Sequence, residues 1–266
     1  MDLGLAGRAY AVLGGTRGMG FECVRLLAEE GANIAVISRD PSAQQARFDE
    51  LAECYGVKIV GIAADASSSG QAEAAVAAAI KRFKTLDGLA VTNHWMGKSR
   101  DFVKINDEEW DAYFQNSLMV AVRAARAALP HLAANGGGSL VLTTAYSSRA
   151  PKPDILAYAA FKAALNNLVG SLMKAYGPSG VRVNAVAPGA IRTGRYETRL
   201  ADLRRDKPDL AQEEADQIML EKMGLQVALN RIGSPSEVAE MIVFLLSQRA
   251  GYATGLIANV DGGTDF

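Results

Sequence analysis

Seven short runs of hydrophobic residues recur along the chain, several of them rich in valine, isoleucine and leucine. Short apolar runs bounded by glycine or polar residues are typical of strands that are buried on both faces of a sheet. The runs predict strands at Ala9–Leu13, Ile34–Ser38, Lys58–Ala63, Leu89–Thr92, Ser139–Thr143, Arg182–Val186 and Leu256–Val260.

The segments between these runs have helical patterns, and several begin with Ser, Asp or Pro and end near Gly, as helix ends commonly do. The predicted helices cover Gly18–Glu30, Pro41–Tyr55, Ser68–Phe83, Asp107–Leu132, Tyr158–Tyr176 and Pro235–Ser247. Alternating strands and helices favour right-handed crossovers and a parallel sheet covered on both faces. We therefore predict one α/β domain over residues 1–266, doubly wound and Rossmann-type, with seven parallel strands.

One segment, residues 194–224, departs from this alternation because it is charged and carries Pro208. It predicts one or two amphipathic helices, which we interpret as a substrate lid. A solvated helical insertion without ligand contact is the alternative. Its apolar residues suit either a substrate pocket or packing within the lid, namely Ile218, Met219, Leu220 and Met223.

Composition narrows the partners and the compartment. A formal net charge of -1 provides no basic surface for nucleic acid or for an anionic membrane, so we expect neither as a partner. Cys23 and Cys54 have no metal-ligand spacing, and no metal site is predicted. Residues 1–4 lack the basic and then apolar layout of a secretory signal, which favours the cytoplasm.

A glycine-rich turn follows the first predicted strand. Glycine permits a tight turn and lets backbone N–H groups approach a pyrophosphate at the start of a helix. A glycine turn can also serve close packing alone, but the first strand–helix unit is where a dinucleotide site belongs. The predicted cofactor-binding residues of this turn are Gly14, Thr16, Arg17, Gly18, Met19 and Gly20.

The end of the second predicted strand bears on the choice of cofactor. An NAD enzyme commonly has an acid here for the ribose hydroxyls, whereas this chain has Ser38 and Arg39. Together with Arg17, they provide two guanidinium groups and a hydroxyl for a 2′-phosphate. We predict NADP(H), with solvated arginines and Asp40 turned towards the ribose as the alternative.

Tyr158 and Lys162 lie four residues apart and so share one face of a predicted helix. Reduction of a carbonyl needs a proton at the developing alkoxide, and a nearby cation lowers the pKa of a tyrosine towards the working range. Tyr158 is therefore the candidate acid and base, with Lys162 as its support. Such a pair alone is often an ordinary amphipathic one.

Several motifs together resemble the short-chain dehydrogenase/reductase family, in particular its 3-oxoacyl-[acyl-carrier-protein] reductase-like members. Gly14, Gly18 and Gly20 match the family's glycine pattern, and Tyr158 with Lys162 matches its catalytic pair. The resemblance covers essentially the whole chain, because its other matches are the segments 183–193, 231–239 and 260–263.

The resemblance implies further roles. Asp65 and Ala66 would contact the adenine, Asn93 would lie against the cofactor at the end of the fourth strand, and Lys162 would also bind the nicotinamide ribose. Pro188 and Gly189 would form the turn after the sixth strand, with the Ile191 backbone and the Thr193 hydroxyl on the carboxamide. The resemblance also implies a homotetramer, or a homodimer.

The chain departs from the family pattern at three places. The usual catalytic serine, thirteen residues before the tyrosine, is Ala145; among Thr143, Thr144, Tyr146, Ser147 and Ser148 we favour Ser147 or Tyr146 as the substitute. The proton-relay asparagine position falls on Ser117; Asn116, one residue earlier, would need a local bulge to serve there. His94 and Trp95 stand where the family has small residues and are expected to shape the pocket; His94 is either a structural histidine or a proton donor.

The sequence predicts an NADPH-dependent oxidoreductase that interconverts a small-molecule ketone and a secondary alcohol, with Tyr158, Lys162, Ser117 and Ser147 as catalytic residues. The alternative is an NADP(H)-binding module or regulator with weak or no catalysis, motivated by Ala145 and Ser117. Loss of one hydroxyl that binds an oxyanion lowers the rate of comparable enzymes about 100-fold or more.

Overall fold

Seven parallel strands form one sheet in the computed structural model, which describes residues 2–98 and 101–264 except the side chain of Arg195. The predicted 1–266 domain also includes Met1, Ser99, Arg100, Asp265 and Phe266, which lie outside the described residues. All seven predicted strands are confirmed, with ends shifted by two residues at most. They are β1 (Ala9–Leu13), β2 (Asn33–Ser38), β3 (Ile59–Ala63), β4 (Gly88–Val91), β5 (Gly138–Thr143), β6 (Val181–Pro188) and β7 (Ile257–Val260).

The strand order is β3-β2-β1-β4-β5-β6-β7, and every neighbouring pair is parallel. The chain runs outward in one direction from β1 to β3 and in the other from β4 to β7. The order therefore reverses between β1 and β4, where Leu13 pairs with Val91 at the carboxyl ends of the strands. In open α/β sheets, ligands bind in the crevice at this reversal.

The helices cover both faces of the sheet. Within the described residues they are α1 (Gly18–Glu29), α2 (Gln45–Tyr55), α3 (Gln71–Phe83), α4 (Asp107–Tyr113), α5 (Val120–Ala134), α6 (Leu156–Tyr176), α7 (Gly194–Asp206), α8 (Gln212–Met223) and α9 (Pro235–Leu246). Two separate apolar clusters lie between the sheet and these helices, and successive side chains of β1 enter them in alternation. Ala11 and Leu13 belong to one cluster, whereas Tyr10 and Val12 belong to the other.

The single helix predicted over Asp107–Leu132 is wrong in one respect. Its backbone is π-helical from Phe114 to Met119, between α4 and α5. A π-helical turn contains an extra residue and often occurs at functional sites. This is the local bulge that the sequence required before Asn116 could leave its ordinary helical position.

The segment Pro153–Ser179, which contains α6, is long and apolar enough to cross a membrane by length and composition (27 residues, mean hydropathy 1.2). It packs against β6, and its buried residues include the charged Lys162. Buried core helices share these properties of length and composition. Only 33% of its most apolar stretch is buried, so packing within this chain accounts for part of its apolar character.

The predicted lid segment forms two helices, α7 and α8. Met219 and Leu220 are buried in an apolar cluster between these helices and the segment that follows, and Ile218 packs against it. Met223 is 36% exposed. Three of the four apolar residues singled out in the sequence therefore serve packing within the 194–224 segment and against the residues that follow it.

Asp216 of α8 joins the lid to the rest of the chain. Its buried carboxylate accepts hydrogen bonds from Arg192 and from the Tyr196 hydroxyl, both at 2.6 Å. The backbone N–H of Ile232 and the amide of Gln212 also donate to it, each at 3.1 Å. Burial alone would raise the pKa of Asp216, but these hydrogen bonds together hold it below its usual value.

Asp216→Asn should lower the free energy of unfolding by about 2 kcal/mol, because Arg192 loses its charged partner and a new N–H group faces existing donors. Denaturant unfolding measures the change. Asp202→Asn on α7 is the matched control, since Asp202 pairs with Arg205 while both side chains are mostly exposed. Equal stability of the two variants would contradict a stabilising role for the hydrogen bonds of Asp216.

Candidate functional site

The glycine turn between β1 and α1 is closely packed. Gly14 and Gly18 have φ values of 91° and 54°, which favour glycine. A Cβ on Gly20 would lie 2.2 Å from the Gly14 carbonyl oxygen and 2.5 Å from the Thr92 hydroxyl. At the N-cap of α1, Arg17 makes no side-chain capping hydrogen bond. The turn thus leaves the first backbone N–H groups of α1 without a side-chain partner, as anion binding requires.

The end of β2 has features that suit a phosphate. The Ser38 hydroxyl is buried and has no hydrogen-bond partner, and Arg39 is exposed beside it. The Asp40 carboxylate instead accepts hydrogen bonds from the Ser42 hydroxyl and the Ala43 N–H, which lower its pKa. Asp40 therefore starts the next turn through one of its carboxylate oxygens, and the alternative in which it faces the ribose stays a prediction.

Asp65 follows β3 and forms a local turn. One oxygen of its carboxylate accepts hydrogen bonds from the Ser67 hydroxyl at 2.6 Å and the Ser67 N–H at 3.0 Å. The Ser67 hydroxyl lowers the pKa of Asp65, and the charge of Arg39 acts in the same direction. Arg123 of α5 donates to the Ser67 carbonyl at 2.8 Å. The structure thus places Asp65 and the buried Ala66 near the Arg39 side of the crevice.

Asn93 contacts the π-helical segment. Its side-chain amide donates to the Asn116 carbonyl oxygen at 2.9 Å. The Asn116 amide in turn donates to the Ala112 carbonyl oxygen at 2.9 Å, within its own helix. The Ser117 hydroxyl is buried and has no hydrogen-bond partner. The bulge therefore does not free the Asn116 amide for catalysis, and a role for Ser117 stays a prediction.

Tyr158 and Lys162 lie on the first turns of α6, and both are buried. Lys162 Nζ donates to the Thr143 carbonyl oxygen at 2.7 Å and lies 5.6 Å from the centre of the Tyr158 ring. Burial lowers the pKa of Lys162 to about 8.

The expected lowering of the Tyr158 pKa by Lys162 is not seen. Burial raises this pKa, and the charge of Tyr146 adds to the increase. Removal from water opposes formation of the phenolate, because the charged form loses its hydration. Tyr158 is therefore held in its protonated form.

The loop that would carry the missing serine is ordered by hydrogen bonds around Ala145. Ala145 is buried, and its carbonyl oxygen accepts a hydrogen bond from the Ser148 hydroxyl at 2.6 Å. Asn166 of α6 donates to the same hydroxyl at 2.8 Å. The Ser147 hydroxyl is buried without a hydrogen-bond partner. It retains a free donor and acceptor, and its substitution for the serine stays a prediction.

His94 is a neighbour of Tyr158 that the choice of catalytic residues from the sequence omitted. Its Nδ1 atom lies 3.5 Å from the Tyr158 hydroxyl, and the two rings meet edge to face with centroids 5.7 Å apart. The signal in the sequence was its position at the end of β4, where the family has a small residue. Trp95 packs beside it against Tyr113, with ring centroids 4.8 Å apart.

The segment 188–193, after β6, closes the other end of the crevice. Pro188 ends β6, and a Cβ on Gly189 would lie 2.7 Å from the Asp261 Cα. Thr193 is the N-cap of α7, but its side chain makes no capping hydrogen bond. Its Cγ2 would lie 3.6 Å from a Cβ on Gly18. This segment and the glycine turn therefore meet across the crevice. Ile191 forms an isolated bridge with Gly233.

These features define a class of protein: oxidoreductases that bind a dinucleotide at the carboxyl edge of a Rossmann-type sheet, next to a tyrosine and lysine pair. A family model described as enoyl-(acyl carrier protein) reductase matches residues 14–265. The oxidoreductase UcpA of Escherichia coli O157:H7 is 30% identical over 98% of this chain and 95% of its own. The chain belongs to the short-chain dehydrogenase/reductase family.

Two solved structures are similar over nearly their whole length. L-sorbose reductase from Gluconobacter frateurii, complexed with NADPH and L-sorbose, has a TM-score of 0.89 and 28% identity, with 99% of this chain and 98% of that chain covered. An NADPH-bound short-chain oxidoreductase from Pseudomonas aeruginosa PAO1, described as containing an atypical catalytic center, has a TM-score of 0.86 and 27% identity, with 98% and 97% covered.

Gly20→Ala should abolish NADPH binding and lower the free energy of unfolding by about 1–3 kcal/mol, because the added methyl group collides with the backbone of the turn. Fluorescence titration and denaturant unfolding measure the two effects. Gly170→Ala in α6, where no atom lies within 4 Å of the added Cβ, is the control and should be neutral or slightly stabilising. Normal NADPH affinity in Gly20→Ala would contradict a binding site in which the cofactor approaches the backbone of this turn closely.

Proposed function

We propose that this protein is an NADPH-dependent oxidoreductase that interconverts a small-molecule ketone and its secondary alcohol. The observation that carries the proposal is the buried Tyr158 and Lys162 pair at the crevice formed by the glycine turn and the 188–193 segment. The sorbose reductase structure with bound NADPH and L-sorbose supports a carbonyl substrate.

The residues at the crevice fit the dinucleotide. The close approach at Gly20 leaves room for backbone alone, and the orphaned Ser38 hydroxyl lies beside Arg39, as a 2′-phosphate requires. When bound, the cofactor would supply or accept the hydride. The residues that would hold it are Gly14, Thr16, Arg17, Gly18, Met19, Gly20, Ser38, Arg39, Asp65, Ala66, Asn93, Lys162, Pro188, Gly189, Ile191 and Thr193.

Tyr158 holds the proton that the reaction needs. Burial keeps its hydroxyl protonated, so it can donate to the carbonyl oxygen of a ketone as that oxygen gains charge. Lys162 would bind the ribose of the cofactor while its contact with the Thr143 carbonyl fixes its position. One turn of α6 thereby sets the distance between the proton donor and the cofactor.

A second function, an NADP(H)-binding module with weak or no catalysis, is favoured by one observation. Ala145 offers no hydroxyl where the family has its serine, and the Asn116 amide is engaged within its own helix. Tight NADPH binding without oxidation by any ketone would support this second function. The cytoplasmic location, the homotetramer and the substrate lid at 194–224 also stay predictions.

Tyr158→Phe should lower kcat at least about 100-fold and leave the Kd for NADPH unchanged within a factor of two, because only the transferred proton is lost. Absorbance of the nicotinamide with a panel of ketones measures turnover, and fluorescence measures binding. Tyr176→Phe removes a hydroxyl from the far end of the same helix and is the control. Unchanged turnover in Tyr158→Phe would eliminate Tyr158 as the proton donor.

Arg39→Ser should weaken NADPH binding about 10-fold and leave NADH binding unaltered, because a charged hydrogen bond to the 2′-phosphate is lost. Parallel titrations with the two cofactors measure the ratio. Arg82→Ser is the control, since Arg82 lies at the opposite edge of the sheet, near Ala9 and Asn33 at the starts of β1 and β2. If the wild type prefers NADH, the assignment of Arg39 fails.

A further inference from the structure

Tyr158 is largely removed from water: the residue is 5% exposed, and burial opposes its ionisation. A group in this position can give its proton away only once unless the proton is replaced. The family replaces it through an asparagine on the helix opposite, at the position that is Ser117 here. In this chain the neighbouring Asn116 amide donates to the Ala112 carbonyl oxygen. The asparagine amide that serves the family is thus absent from the relay position, and a group in contact with the Tyr158 hydroxyl could supply the proton in its place.

His94 is a titratable side chain in direct contact with the Tyr158 hydroxyl. Its Nδ1 atom is 3.5 Å from the phenol oxygen, at the outer limit of a hydrogen bond, and catalytic contacts commonly tighten once substrate is bound. His94 is exposed, so one side of this contact faces solvent while the other is buried. An imidazole exchanges protons near neutral pH, which suits a shuttle between water and a phenol.

We propose that His94 is the proton-relay residue of this site: its Nδ1 atom exchanges a proton with the Tyr158 hydroxyl, and its imidazole exchanges protons with water. The proposal rests on the proposed function, because it concerns the same reaction. It adds a residue at the end of β4 to the pair on α6.

The protons and electrons balance as follows. In reduction, the hydride from NADPH forms the new C–H bond at the carbonyl carbon, and the Tyr158 proton forms the O–H bond of the alcohol. The protonated imidazole then gives its Nδ1 proton to the Tyr158 phenolate, and water reprotonates the neutral ring. Oxidation runs through the same steps in reverse, so the net reaction consumes or releases one proton.

Among the described residues, Tyr146 and Lys162 also act on the contact between His94 and Tyr158. Tyr146 raises the pKa of Tyr158 through its charge, and Lys162 Nζ lies 5.6 Å from the centre of the Tyr158 ring. Lys162 donates to the Thr143 carbonyl oxygen. A pH profile must therefore be compared between variants that keep both groups.

The test replaces His94 in two ways. His94→Ala restores the small residue of the family and leaves a space, whereas His94→Gln keeps a polar side chain that does not titrate. We expect both to lower kcat about 10-fold to 100-fold with unchanged NADPH affinity, and to lose the ionisation that the imidazole contributes to the wild-type pH profile. Added imidazole should restore the rate of His94→Ala and not that of His94→Gln.

The controls separate the relay from a structural role. His131 is the second of two histidines in the chain and accepts a hydrogen bond from the Leu86 N–H at 3.1 Å. His131→Gln should keep the wild-type pH profile and show no response to imidazole. Wild-type turnover and an unchanged pH profile in His94→Gln would overturn the relay, as would failure of imidazole to accelerate His94→Ala.

Failure of the relay is distinguishable from failure of the proposed function. If the wild type oxidises NADPH with a ketone and Tyr158→Phe does not, the proposed function holds and the His94 variants alone decide the relay. If the wild type binds NADPH and reduces no ketone, the proposed function fails and the relay fails with it.

Discussion

The buried ammonium group of Lys162 is the constraint on which the site depends. A charge removed from water needs a strong acceptor, and here the Thr143 carbonyl oxygen at the end of β5 supplies it at 2.7 Å. That hydrogen bond holds α6 against the end of the sheet and sets Tyr158 one helical turn earlier. Ala145, two residues beyond Thr143, is thereby brought into the same apolar cluster as Tyr158. The geometry of the pair thus follows from one desolvated cation.

The same burial has opposite effects on the two members of the pair. It lowers the pKa of Lys162 to about 8, because the charged form of an amine loses hydration. It raises the pKa of Tyr158, because the charged form of a phenol is the deprotonated one. The protein therefore stores a proton on the phenol. An exposed imidazole next to it connects that proton to solvent, which links burial of the pair to the position of His94.

The sequence predicts the sheet well because each strand carries its own apolar run, and the strand ends differ by no more than two residues. The glycine turn could also be predicted, because the residues that form it are adjacent in the sequence. The π-helical turn could not be predicted in this way, because the Asn116 carbonyl oxygen within it accepts a hydrogen bond from Asn93, in another part of the chain. The contact between His94 and Tyr158 joins residues 64 positions apart, and the raised pKa of Tyr158 depends on packing around it. Such long-range properties have no local pattern.

The π-helical turn divides one continuous helical segment into two parts, α4 and α5, whose side chains are rotated relative to each other about the helix axis. Residues of α4 face α6, where Trp110 meets Phe161 with ring centroids 5.9 Å apart, whereas α5 packs on α3. An extra residue in the turn rotates everything after it relative to everything before it. Sequences aligned through this segment without a gap can therefore match in length and still differ in which side chains face the crevice. Losing or gaining one residue there would redirect an entire helix face while leaving its composition intact.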